Sequence, residues 1–268
     1  MSDFLAEARR RVEAEEAVVV ATIVDGPAGV GNRMLIYPDG TTRGTLGSSV
    51  LDGHARVDYR DRLLHAQSKT IEYAGEGGES LVFYDVYPSP DRLLVFGGVH
   101  VAVPLVELAK VVGFRAIVVD ARAQWANRER FPKADEIVVS YADEFLATAR
   151  LDLSTYIVVL THDPKLDDPA LIHAVKHDVR YIGAIGSRRT HAGRVERLKA
   201  SGLTDEQLAK IHSPIGLDIK ARNPEEIALA VLAEIIAAKN GVPTLARHSA
   251  SGASPSASPS TSKVAMPA

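Results

Sequence analysis

Apolar positions change their spacing near residue 90, and this change divides the chain into two regions. In the first region, apolar segments at residues 17–24, 34–37, 41–46, 69–73 and 80–86 read as short strands separated by turns. Helical patterns lie at residues 2–16 and 48–67, so strands and helices do not alternate regularly. The pattern predicts a small α+β domain over residues 1–87.

From residue 91 onward, strands and helices alternate. Continuous apolar runs at residues 93–96, 116–119 and 156–160 are typical of strands that are buried on both faces. Helical patterns at residues 101–112, 141–149 and 168–177 separate the strands, and this alternation predicts a Rossmann-like parallel sheet with helices on both faces over residues 91–242. Residues 245–268 are rich in Ser, Ala and Pro and are predicted to be a disordered tail.

Composition limits the classes of partner. A net charge of -3 provides no overall positive field that would attract nucleic acid or an anionic membrane. No apolar run approaches the roughly 20 residues of a membrane span. The sequence has no cysteine, which excludes disulfides, cysteine-ligated metal and a thiolate nucleophile. We therefore expect a cytoplasmic protein without a structural metal and without a nucleic-acid or membrane partner.

The first candidate ligand site is the turn that follows the strand at residues 92–96. Gly97, Gly98 and His100 lead into a helix, and Asp120 ends the next strand where a ribose-binding acid would be expected. Val99, however, stands where a dinucleotide fingerprint has its second glycine, and its side chain would obstruct a pyrophosphate. The turn therefore predicts either an NAD(P) site or a Rossmann turn that binds nothing.

The second candidate site is the glycine turn at Gly186 and Ser187, which opens a basic helix. Glycine leaves backbone amides accessible, and a helix N-terminus favours negative charge. Arg188 and Arg189 add two side chains that bind phosphate in bidentate fashion. The alternative is an ordinary strand-to-helix turn with solvated arginines, but three features that favour the same charge sign predict an anion site.

Two further turns carry polar groups. His162 and Asp163 directly follow an apolar strand, where ligands of open parallel sheets lie, although an Asp-Pro turn with an exposed histidine explains them equally well. In the first region, the glycine turn at residues 44–49 precedes a helix and also suits an anion. Asp52 follows on that helix. The sequence order alone assembles no set of nucleophile, base and oxyanion donors.

Several segments resemble one family of proteins. Residues 181–198 read YIGAIGSRRTHAGRVERL and residues 211–235 read IHSPIGLDIKARNPEEIALAVLAEI. Both resemble the C-terminal signature of the XdhC/CoxI family, the accessory proteins of xanthine dehydrogenase and related molybdenum hydroxylases. Residues 93–122 resemble the Rossmann opening of that family, and residues 18–49 resemble its N-terminal domain. The resemblance covers roughly residues 15–240.

This resemblance implies binding of the molybdenum cofactor, a phosphorylated pterin dithiolene, its protection during sulfuration and its insertion into a target hydroxylase. It favours a maturation factor over an enzyme with its own turnover, and it favours a homodimer. On this interpretation, the cofactor phosphate would lie at the turn from Gly186 to Arg189, and the pterin edge near His162 and Asp163.

The sequence departs from the family pattern at two places. Residues 48–50 replace a longer glycine run that is followed by cysteine, and residues 26–29 replace a Ser-Ser-Pro-Arg stretch. Because the chain has no cysteine, it cannot carry a persulfide. The sulfur would then come from a partner such as a cysteine desulfurase.

Two other functions remain open at this level. The Rossmann pattern with Gly97, Gly98 and Asp120 also fits an NAD(P)-dependent oxidoreductase, which Val99 opposes. A scaffold that has lost its ligand and only docks an enzyme is the third interpretation. Molybdenum content, a pterin chromophore and a nicotinamide titration would separate the three.

Overall fold

The computed structural model describes residues 2–75 and 77–243 and contains two β-sheets. The chain passes from the first sheet to the second between Tyr87 and Arg92. The predicted tail at residues 245–268 lies outside the described residues. Among the helices of the two described ranges, none is long and apolar enough to cross a membrane.

The first sheet is antiparallel and has a helix on each face. Its strands are β1 (Val18–Asp25), β2 (Arg33–Ile36), β3 (Thr42–Gly44), β4 (Lys69–Gly75) and β5 (Gly78–Tyr87). The order in the sheet is β3-β2-β1-β5-β4. The helices are α1 (Ser2–Glu13) and α2 (Ser49–His65). Alternate residues of β1 enter different cores, because Val19 and Ala21 pack with the residues of α2, whereas Val18 and Val20 pack beside α1.

The second sheet is parallel and has the strand order of a doubly wound nucleotide-binding fold. Its strands are β6 (Arg92–Phe96), β7 (Arg115–Val119), β8 (Glu136–Val138), β9 (Thr155–Val159), β10 (Tyr181–Ala184) and β11 (Ile211–His212). The helices are α3 (Ala102–Val111), α4 (Ala142–Thr148), α5 (Pro164–Ala174), α6 (Arg188–Ala200), α7 (Asp205–Ala209) and α8 (Pro224–Lys239). The order β8-β7-β6-β9-β10-β11 reverses its direction between β6 and β9, where such folds bind ligands.

Helices cover both faces of this sheet, as the sequence predicts. Leu93 and Val95 of β6 pack in a core with residues of α3 and α8. Leu94 and Phe96 point to the opposite face, where residues of α5 and α6 complete a second core. The strands are therefore buried on both sides, which explains their continuous apolar sequences.

The sequence misplaced one helix and missed one strand. The helix predicted at residues 168–177 begins earlier, at Pro164, with Asp163 as its N-cap. Pro169 lies inside the helix, where proline is unfavourable, and its presence favours a later start at the sequence level. Strand β11 has only two residues, too few to show any alternation, yet it pairs with β10.

Candidate functional site

The sequence-predicted site residues of the second region lie at one edge of the parallel sheet. Four neighbouring strands, β7, β6, β9 and β10, end at this edge because all are parallel. The residues are Gly97, Gly98 and His100 after β6, Asp120 after β7, His162 and Asp163 after β9, and Gly186, Ser187, Arg188 and Arg189 after β10. We call this surface the carboxyl edge. One half of this edge, at β6 and β7, is closed by the protein's own atoms, whereas the other half, at β9 and β10, is open.

The half at β6 and β7 is closed by the protein's own backbone. A Cβ added to Gly98 would lie 2.8 Å from the carbonyl carbon of Trp125, and closer still to the carbonyl oxygen. Arg130 donates to the Gly98 carbonyl oxygen at 3.0 Å and lies 4.7 Å from the centre of the Trp125 ring. His100 contacts the same ring edge-on, with 5.9 Å between ring centres. The absent side chain of Gly98 therefore admits the Trp125 loop.

Asp120 is fully engaged in the same half of the edge. Its carboxylate accepts from the Gly98 amide at 2.9 Å and from Nε and Nη2 of Arg122 at 2.9 and 2.8 Å. The side chain is buried, which by itself raises its pKa, but the bonds from Arg122 and Gly98 outweigh burial and hold the pKa below its usual value. These contacts leave little capacity to bind a ribose hydroxyl.

The crevice that remains between these strands is small. It is bordered by Phe96, Gly97, Asp120, Tyr141 and Thr161 and has a volume of about 20 Å³. Pockets for small-molecule ligands usually measure roughly 300–1,000 Å³. The geometry therefore argues against a dinucleotide at the first glycine turn, in agreement with the obstruction expected from the following valine.

The turn after β10 is open. Gly186 has a φ of +148°, a value that favours glycine, and a Cβ there would lie 3.3 Å from Thr190. Ser187 caps α6 by accepting from the Thr190 amide at 3.1 Å. This cap takes up one amide of the first turn and fixes the direction in which the helix begins. The remaining amides and the helix dipole favour an anion at this position.

Arg188 and Arg189 are exposed in the first turn of α6. Within the described residues, neither guanidinium has a hydrogen-bond or ion-pair partner. By contrast, Arg197 of the same helix pairs with Asp168. Two cations at a helix N-terminus repel each other and oppose the dipole, so an anion bound there would stabilise this arrangement.

The loop after β9 carries His162 in an unusual backbone conformation. Its φ of +66° lies in the left-handed region, which costs of order 1–3 kcal/mol for most residues and often occurs at functional sites. The side chain of His162 is exposed. Asp163 has a structural role instead, because its carboxylate caps α5 by accepting from the Lys165 amide at 3.0 Å. A ligand contact is therefore better supported for His162 than for Asp163.

The glycine turn of the first region is satisfied internally. Asp52, in the first turn of α2, accepts from the Leu46 amide and the Thr45 hydroxyl, both at 2.7 Å. A carboxylate thus already occupies the place where a bound anion would meet the Leu46 amide. The case for an anion at this turn is correspondingly weak.

Comparison with known proteins agrees with these features. A family model described as the XdhC Rossmann domain matches residues 93–235, and one described as the XdhC and CoxI family matches residues 11–74. The chain belongs to the XdhC family. The Rossmann match covers the whole carboxyl edge, including both glycine turns.

Three curated relatives are similar over different lengths. The chain is 29% identical to the uncharacterized protein YqeB of Escherichia coli K12, over 88% of this chain and 46% of that protein. It is 34% identical to a probable subunit of xanthine dehydrogenase in Bacillus subtilis 168, over 59% of this chain and 45% of that protein. It is 38% identical to the molybdenum cofactor insertion chaperone PaoD of Escherichia coli K12, over 33% of this chain and 28% of that protein. The chain spans less than half the length of each.

A solved structure has the same fold. The crystal structure of a xanthine dehydrogenase from Bacillus halodurans is 26% identical and superposes with a TM-score of 0.59. The superposition covers 89% of this chain and 67% of the other. The XdhC-family assignment and the α/β fold are thus confirmed.

Sequence reasoning missed a buried ion pair beneath the edge of this XdhC Rossmann domain. Arg194 of α6 donates to Asp167 of α5 at 3.3 Å, and both side chains are only 2% exposed. Burial raises the pKa of Asp167, and a hydrogen bond from Thr161 and the charge of Arg194 oppose that rise only in part. The detectable signal was a charged residue in an apolar helical stripe, since Arg194 stands one turn before the buried Leu198.

A second buried carboxylate on the XdhC Rossmann domain was also missed. Glu234 of α8 accepts from the Tyr181 hydroxyl at 2.7 Å and from the Gly216 amide. His212 lies beside it, with its Nδ1 3.3 Å from the carboxylate. Burial alone would raise the pKa of Glu234, but these three hydrogen bonds outweigh it, and the pKa lies below its ordinary value of 4.5.

The lowered pKa of Glu234 predicts a loss of stability in acid. A group whose folded-state pKa is lowered stabilises the fold above its ordinary pKa and loses that contribution as the pH falls below it. We expect Glu234→Gln to lower the free energy of unfolding by about 1.5–3 kcal/mol at neutral pH and to reduce its decline below about pH 4.5. Urea denaturation at several pH values measures both, and Glu196→Gln, an exposed control, should change neither.

Proposed function

We propose that this protein binds the molybdenum cofactor and assists its insertion into a xanthine dehydrogenase-type molybdenum hydroxylase. The names of two relatives, a molybdenum cofactor insertion chaperone and a probable component of xanthine dehydrogenase, support this role. The observation that carries the proposal at residue level is the pair Arg188 and Arg189, exposed at the open N-terminus of α6.

The residues of the open half suit the chemistry of this cofactor. Its terminal phosphate would be held by the α6 N-terminus together with Arg188 and Arg189, which supply charge-assisted hydrogen bonds. His162, exposed after the neighbouring strand β9, would contact the pterin edge. The cofactor supplies the molybdenum chemistry that the hydroxylase uses, whereas this chain would only bind, orient and shield it. No turnover by the chain itself is required.

Removing both arginines should weaken cofactor binding. We expect Arg188→Ala/Arg189→Ala to lower the affinity at least about tenfold, because each hydrogen bond to a charged group contributes about 1.5–3 kcal/mol. Cofactor released from a molybdoenzyme is titrated into the protein, and bound molybdenum and pterin fluorescence are measured after gel filtration.

A matched control removes two charges from the other end of the same helix. Arg197 pairs with Asp168 and Lys199 pairs with Asp205, both away from the turn. Arg197→Ala/Lys199→Ala should therefore bind the cofactor like the parent protein. Equal binding by the parent and by the Arg188→Ala/Arg189→Ala variant would reject the proposed phosphate site.

An NAD(P)-dependent oxidoreductase is the alternative function, and the strand order of the parallel sheet is the observation in its favour. The contacts of Gly98 with Trp125 and Asp120 oppose it. Titration with NAD(P) is expected to give no tight binding. Tight nicotinamide binding by a preparation that takes up no molybdenum would replace the cofactor proposal with the oxidoreductase.

Support for cofactor sulfuration is part of the same proposal. Because no cysteine occurs in the 268 residues, the sulfur would be supplied by a partner, for which a cysteine desulfurase has the required chemistry. We also propose a homodimer, which sedimentation analysis of the cofactor-bound protein would test. Transfer of sulfur to the bound cofactor without any added sulfur donor would contradict the proposal that a partner supplies the sulfur.

A further inference from the structure

Arg194 lies directly beneath the open turn of the carboxyl edge. Its side chain is 2% exposed, and its Nη1 lies 3.7 Å from the position that a Cβ on Gly186 would occupy. A buried guanidinium is unfavourable unless its contacts offset the loss of hydration, and apolar residues often stabilise such a position equally well. The contacts of Arg194 therefore need an explanation other than stability.

These contacts join the segments that follow three neighbouring strands, β9, β10 and β11. Nη2 donates to the Ile185 carbonyl oxygen at 2.9 Å and to Asp167 at 3.3 Å, and Nη1 donates to the Ser213 hydroxyl at 3.1 Å. Ile185 directly precedes the Gly186 turn, Asp167 lies in the first turn of α5, and Ser213 follows β11. One side chain thus fixes the ends of three neighbouring strands.

Asp167 extends the connection to the loop of His162 and to the first glycine turn. Its second oxygen accepts from the Thr161 hydroxyl. Thr161 directly precedes His162, and its methyl group lies 2.5 Å from the position of a Cβ on Gly97. The Gly186 turn and the His162 loop are therefore held by a single buried network.

We infer that Arg194 is a positioning residue, which fixes the Gly186 turn relative to the His162 loop so that both contact the same anionic ligand. The inference rests on the proposed anion-binding function. A planar guanidinium fork reaches Ile185, Asp167 and Ser213 at once, whereas a lysine ammonium on a flexible stem does not hold all three in fixed geometry. A positive charge at this position is therefore not enough to position both loops; the planar guanidinium group is required.

The test compares Arg194→Lys with Arg197→Lys. Arg197 is a close control, because it also joins α6 to α5, through Asp168, but its side chain is 42% exposed. Binding of inorganic phosphate is measured by NMR titration, and amide hydrogen exchange is measured without ligand. Thermal unfolding confirms that each variant is folded under the conditions used.

We expect Arg194→Lys to weaken phosphate binding about 10- to 100-fold, as loss of the outer partners of metal ligands does. Exchange should become faster in the loops after β9 and β10, whereas strands β6 and β7 of the same six-stranded sheet keep the parent rates. A purely structural role would raise exchange in the whole domain. Arg197→Lys should leave affinity and loop exchange unchanged.

Ser213→Ala repeats the test if Arg194→Lys does not fold, because it removes one contact and no charge. Faster exchange at the Gly186 turn and the His162 loop is expected again. Parent-like exchange at both loops in a folded variant would overturn the inference. Since exchange needs no ligand, failure of the proposed function would be recognised separately, as a parent protein that binds neither phosphate nor cofactor.

Discussion

Asp167→Asn should lower the free energy of unfolding by about 3–5 kcal/mol, the largest stability loss that we expect from a single change in this protein. Asparagine matches the shape of aspartate, so no cavity forms. It removes the negative charge, however, and leaves the Arg194 guanidinium buried without a counter-ion. Urea denaturation at neutral pH measures the loss.

The neighbouring residue provides the control. Asp168 also lies on α5 and also pairs with an α6 arginine, but its partner Arg197 is 42% exposed. Exposed ion pairs contribute about 0–1 kcal/mol, so Asp168→Asn should have a small effect. Equal losses of unfolding free energy in the two variants would show that the buried ion pair contributes no more to stability than the exposed one.

Gly98→Ala is also expected to have a large effect and to lower the free energy of unfolding by about 1–3 kcal/mol or more. The new methyl group would lie 2.8 Å from the carbonyl carbon of Trp125, a backbone atom that cannot rotate away. The loop must move, and the hydrogen bond from Arg130 to the Gly98 carbonyl oxygen moves with it. Trp125 is the only tryptophan, so its fluorescence should report the displacement directly.

A helical glycine in open space is the matching control. A Cβ added to Gly53 of α2 meets no atom within 4 Å, and Gly53→Ala should stabilise the protein by about 0.5–1 kcal/mol. If Gly98 existed to admit a nucleotide instead of the Trp125 loop, Gly98→Ala would leave both stability and fluorescence at the parent values.

Most of the fold could be predicted from the sequence, because most of its strands are long enough to stand out as apolar segments between helical patterns and turns. The strand predicted at residues 92–96 has the predicted ends, and the apolar runs at residues 116–119 and 156–160 lie in β7 and β9 or directly after β9. The errors occurred where local signals conflict or are too short. Helix α5 contains Pro169, a residue that is unfavourable inside a helix, and the two residues of β11 are too few to show a pattern.

The candidate site was predictable to the level of its loops. Ligand-facing loops follow the carboxyl ends of parallel strands, so the turns at Gly97, Asp120, His162 and Gly186 could be assigned to one edge. The sequence could not show, however, whether each turn is free to bind a ligand or is already satisfied by contacts within the protein. Asp120 has the same sequence position whether it binds a ribose or accepts from Gly98 and Arg122, and only the folded chain distinguishes the two.

The sequence by itself determined the parallel sheet, its carboxyl edge and the two arginines at the α6 N-terminus, because these follow from local periodicity and residue order. Only the tertiary structure decided which half of the edge is open. The Trp125 carbonyl that fills the first turn and the Asp167 that pairs with Arg194 both come from distant parts of the chain. Such contacts depend on how loops pack in three dimensions, and no local pattern encodes them.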